Sequence, residues 1–260
     1  MAKIFIIGNG FLGEHLCKYF TEKYPSDEVA YFTDDFNLKI IDVKNYKISH
    51  VDALSKEECV DILINLNPTF EFIQILVHQF QAVKHFHQVL IKKNKRIEAF
   101  LQSCDFTATM SYSCQLYGPG QHEKELLPVW ILRLLKNKTV EIKKNYERNW
   151  LFITDYCEAI DVILQKGKNK EIYNISSNVK VLDTEIVHGI IEMLNKTDNL
   201  IKIDDERIYN QTLEGTNLIK LGWVAKHTLD NALLLTIKWY LLDSFGEQIK
   251  SVIQLASKKR

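Results

Sequence analysis

The chain has 260 residues and a hydrophobic share of 46%, which is enough for one large α/β domain or two small ones. Basic and acidic residues balance at 33 each, so no overall field draws the protein to nucleic acid or to an anionic membrane. Five scattered cysteines without a Cys-x-x-Cys pair, with no long apolar run and no visible secretory signal, predict a cytoplasmic protein without a metal site or a membrane span.

The first predicted elements are a strand over residues 3–7, a glycine-rich turn and a helix. Gly8 allows the chain to reverse sharply, and Gly10 has no Cβ that would hold a pyrophosphate away from the backbone. Gly13 lets the helix lie close to the strand, and the N-terminus of the helix offers free N–H groups to phosphates. The pattern predicts a dinucleotide site that consists of Gly8, Asn9, Gly10, Phe11, Leu12 and Gly13.

A second strand, predicted over residues 29–35, carries an acid to the expected place. Asp34 follows Gly13 by 21 residues, close to the spacing of about 20 at which such folds place an acid on the ribose 2′-hydroxyl. A carboxylate repels a 2′-phosphate, so Asp34 favours NAD over NADP as the cofactor. The alternative is purely structural: a buried strand with a glycine turn and a solvated acidic loop.

Strands and helices continue to alternate along the rest of the chain. In the first half we predict a third strand over 48–52, a helix from a capping box at 55–58 through 64, a fourth strand over 69–77, one helix over 78–101 and a fifth strand over 106–113. In the second half we predict strands over 149–153 and 171–176, and helices over 125–135, 155–164, 183–194 (capped by Asp183 or Thr184) and 228–243. This alternation predicts an α/β fold with a doubly wound parallel sheet.

Histidines and lysines are concentrated in the segment 78–101. His78, His85 and His87 do not form a His-x-x-x-His pair, so we expect solvent-exposed histidines rather than metal ligands. The basic run 92–96 is interpreted as a solvated helix face rather than as a nucleic-acid site.

Several motifs in the second half of the chain occur in the order that a known family shows. They are Tyr117-Gly118-Pro119, Arg148-Asn149-Trp150 with Asp155, Glu171-Ile172-Tyr173-Asn174-Ile175, Leu221-Gly222-Trp223 and Trp239-Tyr240. Together with the glycine turn, they resemble the extended short-chain dehydrogenase/reductases that act on nucleotide sugars, most of all the 4,6-dehydratases and their epimerase relatives.

The resemblance implies a Rossmann-type doubly wound sheet with a smaller C-terminal substrate-binding region. Residues 1–116 would then bind NAD, and residues 117–260 would close over a nucleoside-diphosphate sugar. Arg148 would pair with the diphosphate, a role that suits a guanidinium fork, and Arg207 and Tyr209 would contact a further phosphate or the ribose. A surface salt bridge is the alternative for Arg148. Members of the family commonly form homodimers, so a homodimer is possible here.

One departure from the family concerns its chemistry. The family uses a Tyr-x-x-x-Lys pair, in which the tyrosine exchanges a proton with the sugar and the lysine lowers its pKa. Matching Glu98 to the family places Leu90 and Asn94 at these positions, and no tyrosine lies between Tyr46 and Tyr112. The segment before Tyr117 is also several dozen residues shorter than in the family.

Two other candidates for the acid/base group are weak. Tyr19 and Lys23 have the required spacing but belong to the first helix, so we interpret them as a chance match. His85 or His87 could substitute as the acid/base group, but no partner lysine lies at the right spacing. Three functional classes therefore stay open: an NAD-dependent epimerase, dehydratase or reductase, a non-catalytic binding relative, and an internally deleted product that folds poorly.

Overall fold

The computed structural model describes residues 1–8, 10–42, 44–53, 59–80, 82–204 and 212–257. The chain divides into two compact units. The first consists of residues 1–116, 147–181 and 210–226, and the second of residues 117–146, 182–209 and 227–260.

The elements up to residue 113 all belong to the first unit. They are β1 (Lys3–Ile7), α1 (Phe11–Lys23), β2 (Glu28–Phe32), β3 (Lys47–Ser49), a 3₁₀ turn (Val51–Ala53), β4 (Ile62–Asn65), α2 (Phe70–Gln79), β5 (His85–Leu90), α3 (Lys95–Ser103) and β6 (Ala108–Ser113). The later elements are β7 (Gln115–Tyr117), α4 (Leu126–Leu135), β8 (Val140–Lys143), β9 (Glu147–Phe152), α5 (Ile153–Lys166), β10 (Ile172–Ile175), β11 (Lys180–Leu182), α6 (Asp183–Met193), a 3₁₀ turn (Asp198–Leu200), β12 (Ile201–Asp204), α7 (Thr216–Lys220) and α8 (Leu229–Ser257).

A seven-stranded parallel sheet, in the order β10-β6-β5-β4-β1-β2-β3, is the centre of the first unit. β1 lies between β2 and β4, where Ile6 is paired with Tyr31 on one side and with Ile64 on the other. The side chains of Phe5 and Ile6 are fully buried, since helices cover both faces of a parallel sheet of this kind. The predicted Rossmann-type doubly wound sheet is therefore confirmed.

The predicted elements between residues 55 and 101 are wrong in type. The end of the expected helix 55–64 is the strand β4, the expected strand 69–77 is the helix α2, and the expected single helix 78–101 contains the strand β5 and the start of α3. The capping box at residues 55–58 lies outside the described residues.

Short apolar runs explain these errors. The run in β4 is only four residues long and buried, and periodicity cannot distinguish such a run from part of a buried helix. In α2, the buried residues Ile73 and Leu76 lie three positions apart, which is helical spacing inside a stretch that is apolar almost throughout. Neither Gly nor Pro marks the reversals between α2, β5 and α3.

The elements predicted after residue 106 are confirmed with small shifts at their ends. The predicted helix 155–164 is α5, the predicted strand 149–153 is β9, and the C-terminal helix continues to Ser257. The cap of α6 is Leu182, not Asp183 or Thr184, and the Glu185 carboxylate accepts the Leu182 N–H at 2.8 Å.

Helices α4, α6 and α8 pack together in the second unit, beside a parallel pair formed by β8 and β12. Leu134, Val187 and Leu233 contribute buried side chains from the three helices. In the part of the chain that the structure describes, no helix is both long enough and apolar enough to cross a membrane.

Candidate functional site

The three glycines of the turn after β1 are required for three different reasons. Gly8 has φ +136°, and a Cβ there would lie 2.7 Å from the Cβ of Leu66. Gly10 has φ +79°, and a Cβ there would have no heavy atom within 4 Å, so the space in front of it is open. At Gly13 a Cβ would lie 2.5 Å from the buried ring of Tyr31, so the absence of a Cβ lets α1 lie close to β2. Asn9 lies outside the described residues.

A cavity of about 410 Å³ opens at the carboxyl ends of β1, β2 and β4. Gly8, Asp34 and Asn67 lie in its wall, together with apolar side chains of Ile7, Phe32, Val51, Leu66, Pro68 and Phe72. Ligands of open α/β sheets bind at this edge of the strands. The glycine turn and the acid that follows β2 therefore share one cavity.

Two buried amides fix the wall that follows β4. The Asn65 amide donates to the Gln88 side-chain oxygen at 2.7 Å, and the Gln88 amide donates to the Asn67 carbonyl at 3.1 Å. Both side chains are fully buried, so unmade hydrogen bonds here would be costly. Sequence reasoning missed this pair, although two polar residues in apolar strands were a signal for it.

Glu14 fixes the opposite side of the site. Its carboxylate is buried in the first turn of α1 and accepts the backbone N–H groups of Lys39 and Ile40 at 2.8 and 2.7 Å. Burial raises the pKa of Glu14, an effect that the hydrogen bonds to the Lys39 and Ile40 N–H groups oppose. The segment that follows Asp34 is thereby attached to the helix that follows the glycine turn. Sequence reasoning missed Glu14 as well.

Asp34 carries a half-exposed carboxylate, with 53% of its side chain accessible. Its Oδ1 atom lies 3.2 Å from Nε2 of His50, the residue that follows β3. The position of Asp34 in the cavity wall suits the predicted contact with a ribose hydroxyl, and the imidazole of His50 lies beside it.

The two positions that correspond to the family's Tyr-x-x-x-Lys pair serve the fold instead. Leu90 is the last residue of β5 and is 1% exposed, within the core of the first unit. The Asn94 side-chain oxygen accepts the N–H groups of Arg96 and Ile97 and so caps α3. Nearby, the Tyr112 hydroxyl donates to Glu98, and burial raises the pKa of Tyr112 to about 12, which opposes use of this phenol as a base.

Tyr19 and Lys23 take part in a structural network between α1 and α5. Both contact the buried carboxylate of Asp161, which also accepts hydrogen bonds from the Tyr24 hydroxyl and the Gln165 amide at 2.9 Å. Burial raises the pKa of Tyr19 to about 12, whereas an acid/base tyrosine requires a lowered value. The geometry agrees with a chance match in spacing.

The expectation of solvent-exposed histidines is correct for His78 and wrong for the other two. His85 is half-buried, and His87 is completely buried in β5. Thr109 Oγ1 lies 2.8 Å from both His85 Nε2 and His87 Nδ1, and Ser111 Oγ lies 2.9 Å from His87 Nε2. Burial lowers the pKa of His87 to about 3, so the ring is neutral inside the sheet. The error followed from assigning this strand to a helix.

Arg148 is half-buried in β9, with its guanidinium carbon 5.6 Å from the centre of the Trp150 ring. The next residue, Asn149, accepts the Leu213 N–H at 2.8 Å and donates to the Val179 carbonyl at 3.0 Å. Arg207 and Tyr209 lie outside the described residues. Among the described residues, no group of three or more His, Cys, Asp or Glu side chains could hold a metal ion.

Comparisons with known proteins show which proteins this chain is similar to. Residues 91–176 match the family described as NAD dependent epimerase/dehydratase. The chain is 26% identical over 152 residues to the low-salt glycan biosynthesis protein Agl12 of Haloferax volcanii, covering 56% of this chain and 49% of that protein. It is 25% identical over 307 residues to dTDP-D-glucose 4,6-dehydratase of Bos taurus, covering 90% and 86%.

Solved structures share the fold. dTDP-glucose 4,6-dehydratase of Bacillus anthracis, solved with NAD, has a TM-score of 0.77 at 20% identity and covers 92% of this chain and 96% of that one. UDP-glucose 4-epimerase of Thermotoga maritima, solved with UDP-glucose, has a TM-score of 0.75 at 15% identity, covering 91% and 98%.

The fold is the one seen in NAD-dependent epimerases and dehydratases. Residues 91–176 match the family model, and over most of its length the chain is similar to dTDP-glucose 4,6-dehydratases. It spans about half the length of the relative from Haloferax volcanii. The match to the bovine relative extends over 307 residues although the whole chain has 260, so the chain is shortened internally.

Proposed function

We propose that this protein binds NAD and a nucleoside-diphosphate sugar, and that it has lost the proton transfer by which its family acts on the sugar. One observation carries the proposal: the cavity beside the glycine turn is open, whereas Leu90 and Asn94 are committed to the core and to a helix cap. Proton transfer by a positioned side chain contributes about two to four powers of ten in rate. We therefore favour the non-catalytic binding relative over the active enzyme.

The cofactor half of the proposal rests on the geometry of the turn. The cap residue of α1 is Gly10, which has no side chain to occupy the first N–H groups of the helix. Those groups and the partial positive charge of a helix N-terminus favour a pyrophosphate. Asp34 in the cavity wall would accept a ribose hydroxyl and repel a 2′-phosphate, which favours NAD over NADP. NAD is bound in a solved structure of the same fold.

The proposal that the protein binds a sugar nucleotide rests on Arg148 and on solved structures of the same fold. A guanidinium suits a diphosphate because its planar N–H groups can contact two oxygens at once. A neighbour of the same fold holds UDP-glucose and another holds NAD and UDP. We propose Arg148, with Arg207 and Tyr209, as contacts of the nucleoside diphosphate. We also retain as predictions the division of these roles between residues 1–116 and 117–260, a homodimer and a cytoplasmic location.

Thermal melts with NAD, NADP and a panel of UDP-, dTDP- and GDP-sugars test the proposal. A ligand present at one hundred times its Kd should stabilise the protein by about 2.7 kcal/mol. The matched variants are Asp34→Ala and Arg148→Ala: the first should weaken NAD alone, and the second the sugar nucleotide alone. A cooperative melt that no ligand shifts contradicts binding.

A second measurement addresses catalysis. The protein is incubated with NAD and the sugar nucleotide that shifts its melt, and the products are separated by chromatography. We expect the sugar nucleotide to be recovered unchanged. Conversion that depends on the protein and is lost in Asp34→Ala would show that the family's chemistry persists through other residues.

A further inference from the structure

A histidine lies against the acid of the cofactor cavity. β3 is the neighbour of β2 in the sheet, so His50, which follows β3, lies beside Asp34, which follows β2. His50 Nε2 lies 3.2 Å from Asp34 Oδ1. Nothing in the spacing of the sequence indicates this pair, since the two residues are brought together by strand pairing.

The imidazole of His50 is held on its other side as well. Its Nδ1 atom lies 3.2 Å from the Asp52 carboxylate and 3.3 Å from the Asp52 backbone nitrogen. The ring of Phe36 stacks on it, with centroids 6.4 Å apart and an angle of 8°. The ring therefore lies between two carboxylates.

The charged groups that face His50 among the described residues are Asp34 and Asp52. On the neighbouring elements, Lys47 of β3 pairs with Glu28 of β2, and the Asp35 carboxylate accepts the Asn37 N–H at 2.9 Å.

Both charge states of the ring fit these contacts. A neutral ring donates from Nε2 to Asp34 and accepts the Asp52 N–H at Nδ1. A protonated ring donates from both nitrogens, to the carboxylates of Asp34 and Asp52. Protonation changes the net charge beside the cavity without requiring a different geometry.

We propose that His50 is a specificity-determining residue of the cofactor site, which sets how strongly Asp34 excludes NADP. This inference rests on the proposed function, since it assumes that the cavity holds the adenosine half of the cofactor. When His50 is neutral, the charge of Asp34 repels a 2′-phosphate. When His50 is protonated, the imidazolium compensates that charge, and the repulsion falls. Since the ring compensates the charge of Asp34 only when it is protonated, the exclusion of NADP should weaken as the pH falls.

The test is a titration calorimetry measurement of NAD and NADP affinities at about pH 6 and pH 8. His50→Gln keeps an N–H donor but cannot become charged, and His78→Gln changes an exposed histidine on α2 as the matched control. In the unmodified protein and in His78→Gln, the ratio of NADP to NAD affinity should rise about fivefold or more from pH 8 to pH 6. The 2′-phosphate of NADP also changes its charge in this pH range. His50→Gln measures the contribution of the phosphate alone. The rise of the NADP-to-NAD affinity ratio should therefore be at least about threefold smaller in His50→Gln than in the unmodified protein.

His50→Arg supplies a second readout, because it places a permanent positive charge at the same position. This variant should bind NADP at both pH values, with little change in the ratio of NADP to NAD affinity. Equal pH dependence in the unmodified protein and in His50→Gln, with folded variants that bind NAD, overturns this inference and leaves the proposed function intact. Failure of the unmodified protein to bind either cofactor overturns both.

Discussion

Strands β1 and β5 lie in the same parallel sheet, but the residues that follow them are used differently. After β1, Gly8 lies in the wall of a cavity, and the space in front of Gly10 is open. After β5, Leu90 is part of the core, and Asn94 uses its side-chain oxygen on the backbone of α3. The first region leaves groups available to a ligand, whereas the second satisfies its own groups internally. This contrast supports the proposal that the chain keeps a binding edge while the segment that carries the family's chemistry is structural.

The polar groups of the two regions differ in the same way. Asp34 beside β2 is half exposed, and its charge is accessible to a ligand. His87 in β5 is completely buried, neutral and hydrogen-bonded through both nitrogens. The exposed carboxylate of Asp34 can bind a ligand, whereas the buried imidazole of His87 stabilises the sheet. The following predictions test this contrast, beginning with the largest expected effect.

His87→Leu should destabilise the protein by about 3 kcal/mol, because the hydroxyls of Ser111 and Thr109 each lose a hydrogen bond inside the sheet, although Thr109 keeps His85 as a partner. Urea unfolding monitored by circular dichroism measures the change. The matched control is His78→Leu on the exposed face of α2, which should stay within about 0.5 kcal/mol. Similar losses in the two variants would show that His87 is not part of the sheet's hydrogen bonding.

The same histidine should make the protein sensitive to acid. The pKa of His87 falls to about 3 in the fold, below the unfolded value of about 6.5, so its stabilising effect is complete above pH 6.5 and is lost as the pH falls toward 3. Below pH 6.5, one such group lowers the free energy of unfolding by about 1.4 kcal/mol for each pH unit, or by roughly 2 kcal/mol at pH 5. Urea midpoints at pH 7 and pH 5 measure this loss. The loss of stability between pH 7 and pH 5 should be smaller in His87→Leu. An unchanged loss would assign the acid sensitivity to other groups.

Gly13→Ala should cost about 2 kcal/mol, because the added Cβ would lie 2.5 Å from the enclosed ring of Tyr31. Gly10→Ala faces open space and should cost only about 1 kcal/mol for its positive φ. NAD affinity should show the reverse order, with the larger loss in Gly10→Ala, because its methyl group would occupy the place that we propose for the pyrophosphate. Thermal unfolding and calorimetry on the two variants measure both quantities. Equal losses of NAD affinity would remove the distinction between the two glycines.

Asn94→Ala should destabilise the protein by about 1 kcal/mol through loss of the cap of α3. Asn94→Asp keeps the capping oxygen and should be nearly neutral in stability. Asn94→Lys, which introduces the family's lysine, should behave like Asn94→Ala and produce no turnover. Unfolding midpoints for the three variants measure these changes in stability. Turnover in Asn94→Lys would refute the interpretation that this segment is structural.

Tyr19→Phe should have the smallest effect, about 0.5–1 kcal/mol, because Asp161 keeps its hydrogen bonds from Tyr24 and Gln165. NAD affinity should not change. Tyr24→Phe is the matched comparison, since it removes a hydroxyl that contacts both oxygens of the same carboxylate. A loss of NAD or sugar-nucleotide binding in Tyr19→Phe would contradict the chance match.

Where strong local signals exist, the sequence predicted the elements closely. The glycine turn, β1 and α1 have the expected places, and so do β6, α4, α5 and β10. These segments combine a clear period with Gly, Pro or capping residues at their ends. Residues 70–93 contain neither Gly nor Pro, and the apolar runs of β4 and α2 satisfy a strand or a helix. There, pairing with neighbouring strands decided the outcome.

The sequence alone determined two facts about this protein: a Gly-x-Gly-x-x-Gly turn followed 21 residues later by Asp34, and a stretch from Tyr46 to Tyr112 without any tyrosine between them. The first depends on local spacing, and the second on composition, so neither needs a fold to be known. Only the tertiary structure decided that His87 is buried, that Glu14 holds the segment after Asp34 and that His50 lies against Asp34. Each of these depends on side chains that strand pairing and helix packing bring together from separate parts of the chain, and local spacing carries no information about such contacts.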